Sequence, residues 1–202
     1  MMKKLVLVLV AMLCGLGASA ELRWGPTASL NFNTFRWKEP LLNTKMRTCF
    51  DAGIMTEVMI PGIGFGVDAG ITYGMRSGKV NFGQWELWRD ENLGDETVTI
   101  HTVNIPVHLR FKYTRLEGLE EVIAPLAFAG PVFQFNVAGN CDALEQPFGT
   151  VALDFGIGCE LWQKFQVSFG YLWGVSYTTR TKKLDNLSAR NDGFRLNFAC
   201  FF

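Results

Sequence analysis

The chain has 202 residues, with 19 basic and 19 acidic side chains and 49% hydrophobic residues. A formally neutral chain has no excess positive charge with which to hold a polyanion, which argues against a nucleic-acid partner. Aromatics at 13% and 21 glycines suit an all-β chain better than a helical one, and the length fits one domain.

Residues 1–20 read as a secretory signal peptide. Lys3 and Lys4 precede the apolar run Leu5 to Leu16, and Ala18-Ser19-Ala20 supplies an A-x-A cleavage site. Leu13 stands before Cys14 where a lipoprotein needs a small residue, so lipidation is not expected. Cleavage leaves residues 21–202 as one barrel domain with 17 basic and 19 acidic groups, a net charge of −2. Beyond the leader no stretch approaches the roughly 18 uninterrupted apolar residues of a membrane helix. The apolar surface is therefore a soluble core or is spread over strands.

The strands follow in chain order. Strand one sets Trp24, Ala28, Leu30 and Phe32 against Thr27, Ser29, Asn31 and Asn33. Strand two sets Ala52, Ile54, Val58 and Ile60 against Asp51, Gly53 and Glu57, and Pro61-Gly62 then forms a tight turn. Strand three sets Phe65, Val67, Ala69, Ile71, Tyr73 and Met75 against Gly64, Gly66, Asp68, Gly70, Thr72 and Gly74. Strand four is the cleanest, with Val103, Ile105, Val107, Leu109, Phe111 and Tyr113 against Asn104, Pro106, His108, Arg110 and Lys112. Strand five runs from about Val122 to Val137, where Pro125 and Pro131 blur the pattern. Strand six sets Val151, Leu153, Phe155, Ile157, Cys159 and Leu161 against Thr150, Asp154, Gly156, Gly158 and Glu160. Strand seven sets Phe165, Val167, Phe169, Tyr171, Trp173 and Val175 against Gln166, Ser168, Gly170 and Gly174. Strand eight sets Phe194, Leu196, Phe198, Cys200 and Phe202 against Arg195 and Asn197.

A period of two sends alternate side chains to opposite sides of a sheet. Behind an export leader, the oily side is expected to face lipid, which gives an eight-stranded antiparallel transmembrane β-barrel in the cell outer membrane. Connection lengths agree. Arg36 to Phe50, Ser77 to Thr97, Gly139 to Pro147 and Ser176 to Asp192 are long, whereas the intervening turns are short. Long loops outside and short turns in the periplasm are the habit of such barrels. Aromatic belts are expected at Trp24, Phe65, Tyr113, Trp162, Phe165 and Phe202 on the periplasmic rim, and at Phe35, Trp37, Tyr73, Trp173, Tyr177 and Phe194 on the outer rim.

Four cysteines remain after cleavage. Cys49 and Cys141 fall in predicted loops at one end and form the candidate disulfide, which an oxidising compartment permits. Cys159 and Cys200 fall on strands separated by another strand, too far apart to bridge easily. Four free thiols stand beside that reading as its alternative.

The segments Val103-Asn104-Ile105-Pro106-Val107, Ala129-Gly130-Pro131 and Gly156-Ile157-Gly158, followed by an aromatic last strand, resemble the PorT-like outer-membrane β-barrel family of Bacteroidetes-type bacteria. That resemblance runs over nearly the whole mature chain and implies an eight-stranded barrel. One namesake serves type IX secretion, so an accessory role there is a second expectation. Phe202 resembles the signal read by the barrel-assembly machinery.

The polar faces collect Glu57, Asp68, Asp154 and Glu160 with His108, Arg110, Lys112 and Arg195. Eight strands enclose an interior just wide enough for side chains to fill, so these eight are expected to neutralise one another across the lumen. The rival is a narrow pore for ions or small solutes. Gly62, Gly64, Gly66 and Gly70 alternate along one strand face without the helix of a phosphate loop, so they are expected to make room in the lumen. His101 and His108 match no metal spacing, and no cofactor is expected. A lipid-modifying enzyme using His101 as base lacks any serine-histidine-acid set, so no enzymatic activity is expected. A lipocalin-like soluble barrel would reverse the two faces. Phe82, Trp85 and Trp88 in the second long loop offer a contact surface for a protein partner. Arg180, Lys182, Lys183 and Arg190 in the last loop are read as solvated rather than lipid-binding. The expected function is therefore structural or interactive, with outer-membrane lipid as the first partner.

Overall fold

The computed structural model describes residues 21–38, 43–60, 64–81, 95–113, 118, 121–140, 144–181 and 187–202. The expected leader 1–20, the expected turn at Pro61-Gly62, Cys141, the expected contact residues Phe82, Trp85 and Trp88, and Lys182 and Lys183 lie outside these residues. Among the described residues ten strands follow one another: β1 Glu21–Trp37, β2 Asn43–Met59, β3 Phe65–Asn81, β4 Asp95–Lys112, β5 Ile123–Gly139, β6 Leu144–Glu145, β7 Gly149–Leu161, β8 Phe165–Gly174, β9 Thr179–Thr181 and β10 Ser188–Cys200. Eight are long and pair antiparallel in sequence order, and β10 returns to β1 from Thr27↔Ala199 to Trp37↔Ala189. The sheet therefore closes into an eight-stranded antiparallel barrel, with the short β6 and β9 paired to each other and to β10 above one rim.

Along the half nearer the short turns, the wall follows the predicted alternation. Leu30, Ile54, Ile71, Leu109, Ile157, Phe169 and Phe198 are exposed on the outside. Their neighbours Ser29, Asn31, Asp68, Thr72, His108, Arg110, Asp154 and Ser168 are buried inside. Trp24, Phe65, Tyr113, Trp162, Phe165 and Phe202 ring the turn end on the outer wall, and Tyr73, Trp173 and Phe194 ring it higher up.

Nearer the long loops the strands continue and the alternation inverts. Where loops were expected over 36–50 and 77–97, β1 runs to Trp37, β2 begins at Asn43, β3 runs to Asn81 and β4 begins at Asp95. In this upper tier Phe35, Trp37, Val80, Val98, Ile100, Leu144, Leu187 and Ala189 form an apolar cluster inside the barrel. Arg36, Lys79, Thr97 and Thr99 face outward between them. Phe35 and Trp37 thus belong to an internal core, not to the outer aromatic belt. The sequence pattern hid these strand ends because water outside and a dry interior reverse the polarity that each face requires. The two register shifts lie at this transition, between Met46 and Asp51 and between His101 and Thr102.

Two prolines interrupt the ladder without a bulge. Pairing skips from Ala69↔Val107 to Thr72↔Asn104 beside Pro106, and from Pro106↔Val132 to Leu109↔Ala129 beside Pro131, with the register unchanged. Proline has no N–H to donate, so each removes a bond and leaves the alignment intact.

Glycine also shapes the interior. Phe128 of β5 points inward, and a Cβ on Gly156 or Gly170 would stand 2.8 or 3.0 Å from its ring tip. Gly156 lies closer still to β8, with the Phe169 carbonyl 2.3 Å from that Cβ position. Gly156→Val is expected to overfill this level, at a cost of about 1–3 kcal/mol or more, read as a lowered Tm of the refolded barrel. An unchanged Tm would show that the level has slack. In the three-residue connection between the paired Leu161 and Phe165, Trp162 and Gln163 both have positive φ, 50° and 57°, as the two central residues of a type I′ turn do, and the Lys164 N–H donates to the Leu161 carbonyl at 3.1 Å. Gln163→Gly is expected to relieve about 1 kcal/mol of left-handed strain and raise the Tm.

Candidate functional site

The lower lumen is organised around Glu57 of β2, which is fully buried. Its carboxylate accepts hydrogen bonds from Arg110 Nη1 at 2.7 Å, Lys112 Nζ at 2.9 Å and Gln166 Nε2 at 2.6 Å, and it pairs with Arg23. Glu160 of β7 accepts from Arg23 Nη2 at 2.8 Å, Lys112 Nζ at 2.7 Å and Gln166 Nε2 at 2.8 Å. Arg110 also pairs with Asp68 of β3. One cluster therefore joins β1, β2, β3, β4, β7 and β8.

A second cluster lies above it. Arg76 Nη1 of β3 donates to Asp51 of β2 at 2.8 Å. Arg195 of β10 donates from Nη1 to Asp154 of β7 at 2.7 Å and from Nε to Asn31 of β1 at 3.0 Å. Its Nη2 lies 3.6 Å from Asp51, which connects the two pairs. His108 of β4 has Nε2 3.5 Å from Asp154, and its ring centroid is 5.1 Å from that of Phe128.

All eight lumen residues singled out in the sequence, Glu57, Asp68, His108, Arg110, Lys112, Asp154, Glu160 and Arg195, are buried inside. The geometry divides them between two layers. Arg23, Asp51, Arg76, Asn31 and Gln166, which stand outside the eight charged positions marked by the sequence pattern, complete those layers. Continuing the period of two from Thr27 down to Arg23 and from Gly74 up to Arg76 would have found both arginines. Among the described interior groups, Asp51, Glu57, Asp68, Asp154 and Glu160 face Arg23, Arg76, Arg110, Lys112 and Arg195, five charges of each sign.

Little room remains between the layers. A cavity bordered by Thr27, Ser29, Thr72, His108, Ser168 and Asn197 has about 20 Å³, the space of one water. The loop end is filled by the apolar cluster around Ile100 and Trp37. Met55, Ala199 and Phe201 also pack together inside, with Met55 between the Glu57 and Asp51 levels of β2, and the Arg23 guanidinium lies 5.7 Å from the Phe201 ring centroid.

Cys49 sits on strand β2 with its side chain buried, not in a loop, and carries a free thiol. Its suggested partner Cys141 lies outside the described residues. Cys159 and Cys200 are on β7 and β10, with β8 between them. His101 faces outward, its Nδ1 3.0 Å from the Tyr73 hydroxyl and its ring stacked on Tyr73. Among the described residues no group of His, Cys, Asp and Glu side chains is placed to hold a metal.

No protein-family model matches the chain, and no curated protein sequence matches it. Solved structures do. The outer membrane protein OprG from Pseudomonas aeruginosa superposes with a TM-score of 0.56 at 10% identity, over 91% of this chain and 96% of that one. Neisserial surface protein A gives a TM-score of 0.47 at 10% identity, over 91% and 99%. At such identity the likeness to OprG concerns the fold: this chain has the architecture of an eight-stranded outer-membrane β-barrel.

Proposed function

We propose that this chain is an outer-membrane β-barrel with a sealed lumen, acting as a rigid scaffold whose loop end meets lipid and protein partners. The single observation that carries this reading is the inversion of polarity along continuous strands. An oily outer wall over a charged interior gives way, on the same strands, to a polar outer wall over an apolar interior. The oily stretch of β4 from Val103 to Tyr113 and that of β3 from Phe65 to Met75 match the ~9–11 residues with which a tilted strand crosses a bilayer. A water-soluble barrel needs no such change of phase, and a lipocalin-like arrangement would keep its apolar face inside at every level.

The charged layers support a structural role for the lumen. Opposite charges pair across the lumen, an apolar cluster packs inside at the loop end, and the cavity beside His108 has room for about one water. A narrow pore would need a continuous wet path. The resemblance of the Val103–Val107, Ala129–Pro131 and Gly156–Gly158 segments to PorT-like barrels is the support for that family and for an accessory place in type IX secretion. Residues 1–20 are proposed as the cleaved export signal. Phe202, exposed on the outer wall beside Trp24, with which it exchanges backbone hydrogen bonds, is proposed as the residue read by the barrel-assembly machinery. No enzymatic activity is proposed.

The orientation is tested with spin labels. Labels at Ile71 and Leu109 are expected to meet lipid-dissolved quenchers and labels at Lys79 and Thr97 to meet water-soluble ones; the same quencher reaching both tiers would overturn the reading. For the sealed lumen, planar bilayers containing the protein are expected to stay electrically silent. A water-soluble maleimide is expected to spare Cys49 until the barrel is unfolded, in a variant with the other cysteines replaced by serine. Discrete conductance with Cys49 labelling would establish the pore instead. Glu57→Ala leaves Arg23, Arg110 and Lys112 without their shared carboxylate, a loss of about 3–5 kcal/mol measurable as a lower denaturant midpoint. Coupling with Arg110→Ala makes the double variant less damaging than the two single losses added.

A further inference from the structure

The outer wall of the upper tier carries a concentration of positive charge across the β1–β10 seam. Arg36 and Arg190 are direct register partners, and both point outward, so two like charges stand opposite each other where repulsion is expected. Lys38 follows on the same face, its backbone N–H bonded to the Ser188 carbonyl at 2.9 Å. Tyr177 completes the group. The Arg190 guanidinium carbon lies 5.1 Å from its ring centroid, and Arg190, Ser188 and Lys38 surround its phenol. The Arg190 contact holds the Tyr177 phenol below its ordinary range. Arg36, Lys38, Tyr177 and Arg190, with Trp37, line a recess of about 280 Å³. Among the described residues one carboxylate opposes these three cations: Asp192, 3.1 Å from Arg36 Nε. Its other oxygen accepts the Gly174 N–H at 2.9 Å, which fixes it under Arg36. Arg36, Lys38 and Arg190 against Asp192 leave the described groups a net charge of +2.

Its height on the wall says what it would meet. Below it on the same face lie Tyr171, Phe169 and Phe194, the last two with stacked rings 5.8 Å apart, and Phe194 pairs with Phe32. Phe194 stands four positions along β10 from Arg190. At ~3.4 Å per residue and a tilt of roughly 40°, the cations stand about 10 Å above the aromatic ring, in the range of lipid headgroups when the aromatics mark the edge of the hydrocarbon.

We propose that Arg36, Lys38 and Arg190, with the Tyr177 hydroxyl, form a binding site for the phosphate of a lipid headgroup in the leaflet at the loop end. Guanidinium groups present paired donors that suit phosphate oxygens, and an anion between Arg36 and Arg190 turns their repulsion into two attractions. The inference rests on the outer-membrane reading above.

The test uses the full mature chain, inserted in bilayer nanodiscs of phosphatidylcholine with or without diphosphoryl lipid A. Each basic side chain near an anionic surface contributes about fivefold, so a net +2 predicts retention of diphosphoryl lipid A roughly thirtyfold above its dephosphorylated form, counted by native mass spectrometry on the unaltered protein. The variant R36Q/K38Q/R190Q is expected to lose that preference while inserting normally in phosphatidylcholine. Equal retention of phosphorylated and dephosphorylated lipid, or a preference that survives the triple substitution, would overturn the site. Millimolar pyrophosphate that displaces lipid A and binds as well without lipid would mean a soluble-anion site and would also overturn it. Failure of the unaltered chain to enter phosphatidylcholine bilayers would instead bring down the membrane reading and this inference together.

Discussion

What each face of the sheet touches governs this molecule. A closed sheet has no edge left to satisfy, so backbone hydrogen bonding fixes the cylinder and the side chains only decide which surroundings suit it. In the lower tier the outside is apolar, so polarity is driven inward, where ten charges must find one another. In the upper tier the outside is polar, so Ile100, Trp37 and Leu187 gather inside as a small conventional core. The same strands carry both arrangements, and the register shifts near His101 and Met46 sit at the crossover between them.

The charged layers do in the lower tier what apolar packing does in the upper one. Burying an ion pair rarely stabilises by itself, because desolvation consumes the Coulombic gain. The value of this network lies in its connectivity. Glu57 alone meets groups from β1, β4 and β8, and Arg195 meets β1, β2 and β7. A strand slipped by one residue would carry its charge to the oily side and leave partners on several other strands unpaired. The network is a register lock, and small residues such as Gly156 and Gly170 let Phe128 occupy the remaining space beside it.

Much of this was legible in the residues. Val103 to Tyr113 and Phe65 to Met75 declared their two faces, because each crosses a single environment from end to end. The interior acids and bases followed from the same period. The strand extensions were not legible, since Phe35 and Trp37 read as part of an outer aromatic belt and Arg36 as the start of a loop when the oily face is assumed to stay outside. Keeping the parity that puts Asn31 and Asn33 inside would have put Phe35 and Trp37 there too. Arg76 was missed for a related reason: strand three was ended at Met75, one residue short of the partner of Asp51. Strand five resisted because Leu126, Phe128 and Val132 face inward, so both of its faces are apolar and the period carries no contrast.

A filled cylinder leaves few places for specificity. Its interior is committed to holding its own walls together, and its middle belt is uniformly oily. Chemistry that distinguishes one partner from another is therefore confined to the upper tier, where strands rise beyond the aromatic ring and present polar side chains on a rigid wall. Ladder hydrogen bonds hold Arg36 and Arg190 opposite each other, so their spacing is set by the sheet rather than by a loop that must be ordered on binding. Preorganisation of that kind lowers the entropy lost on recognition. It also explains how a seam with two facing cations is tolerated: the backbone pairing of β1 with β10 that closes the barrel supplies the stability against which their repulsion is small.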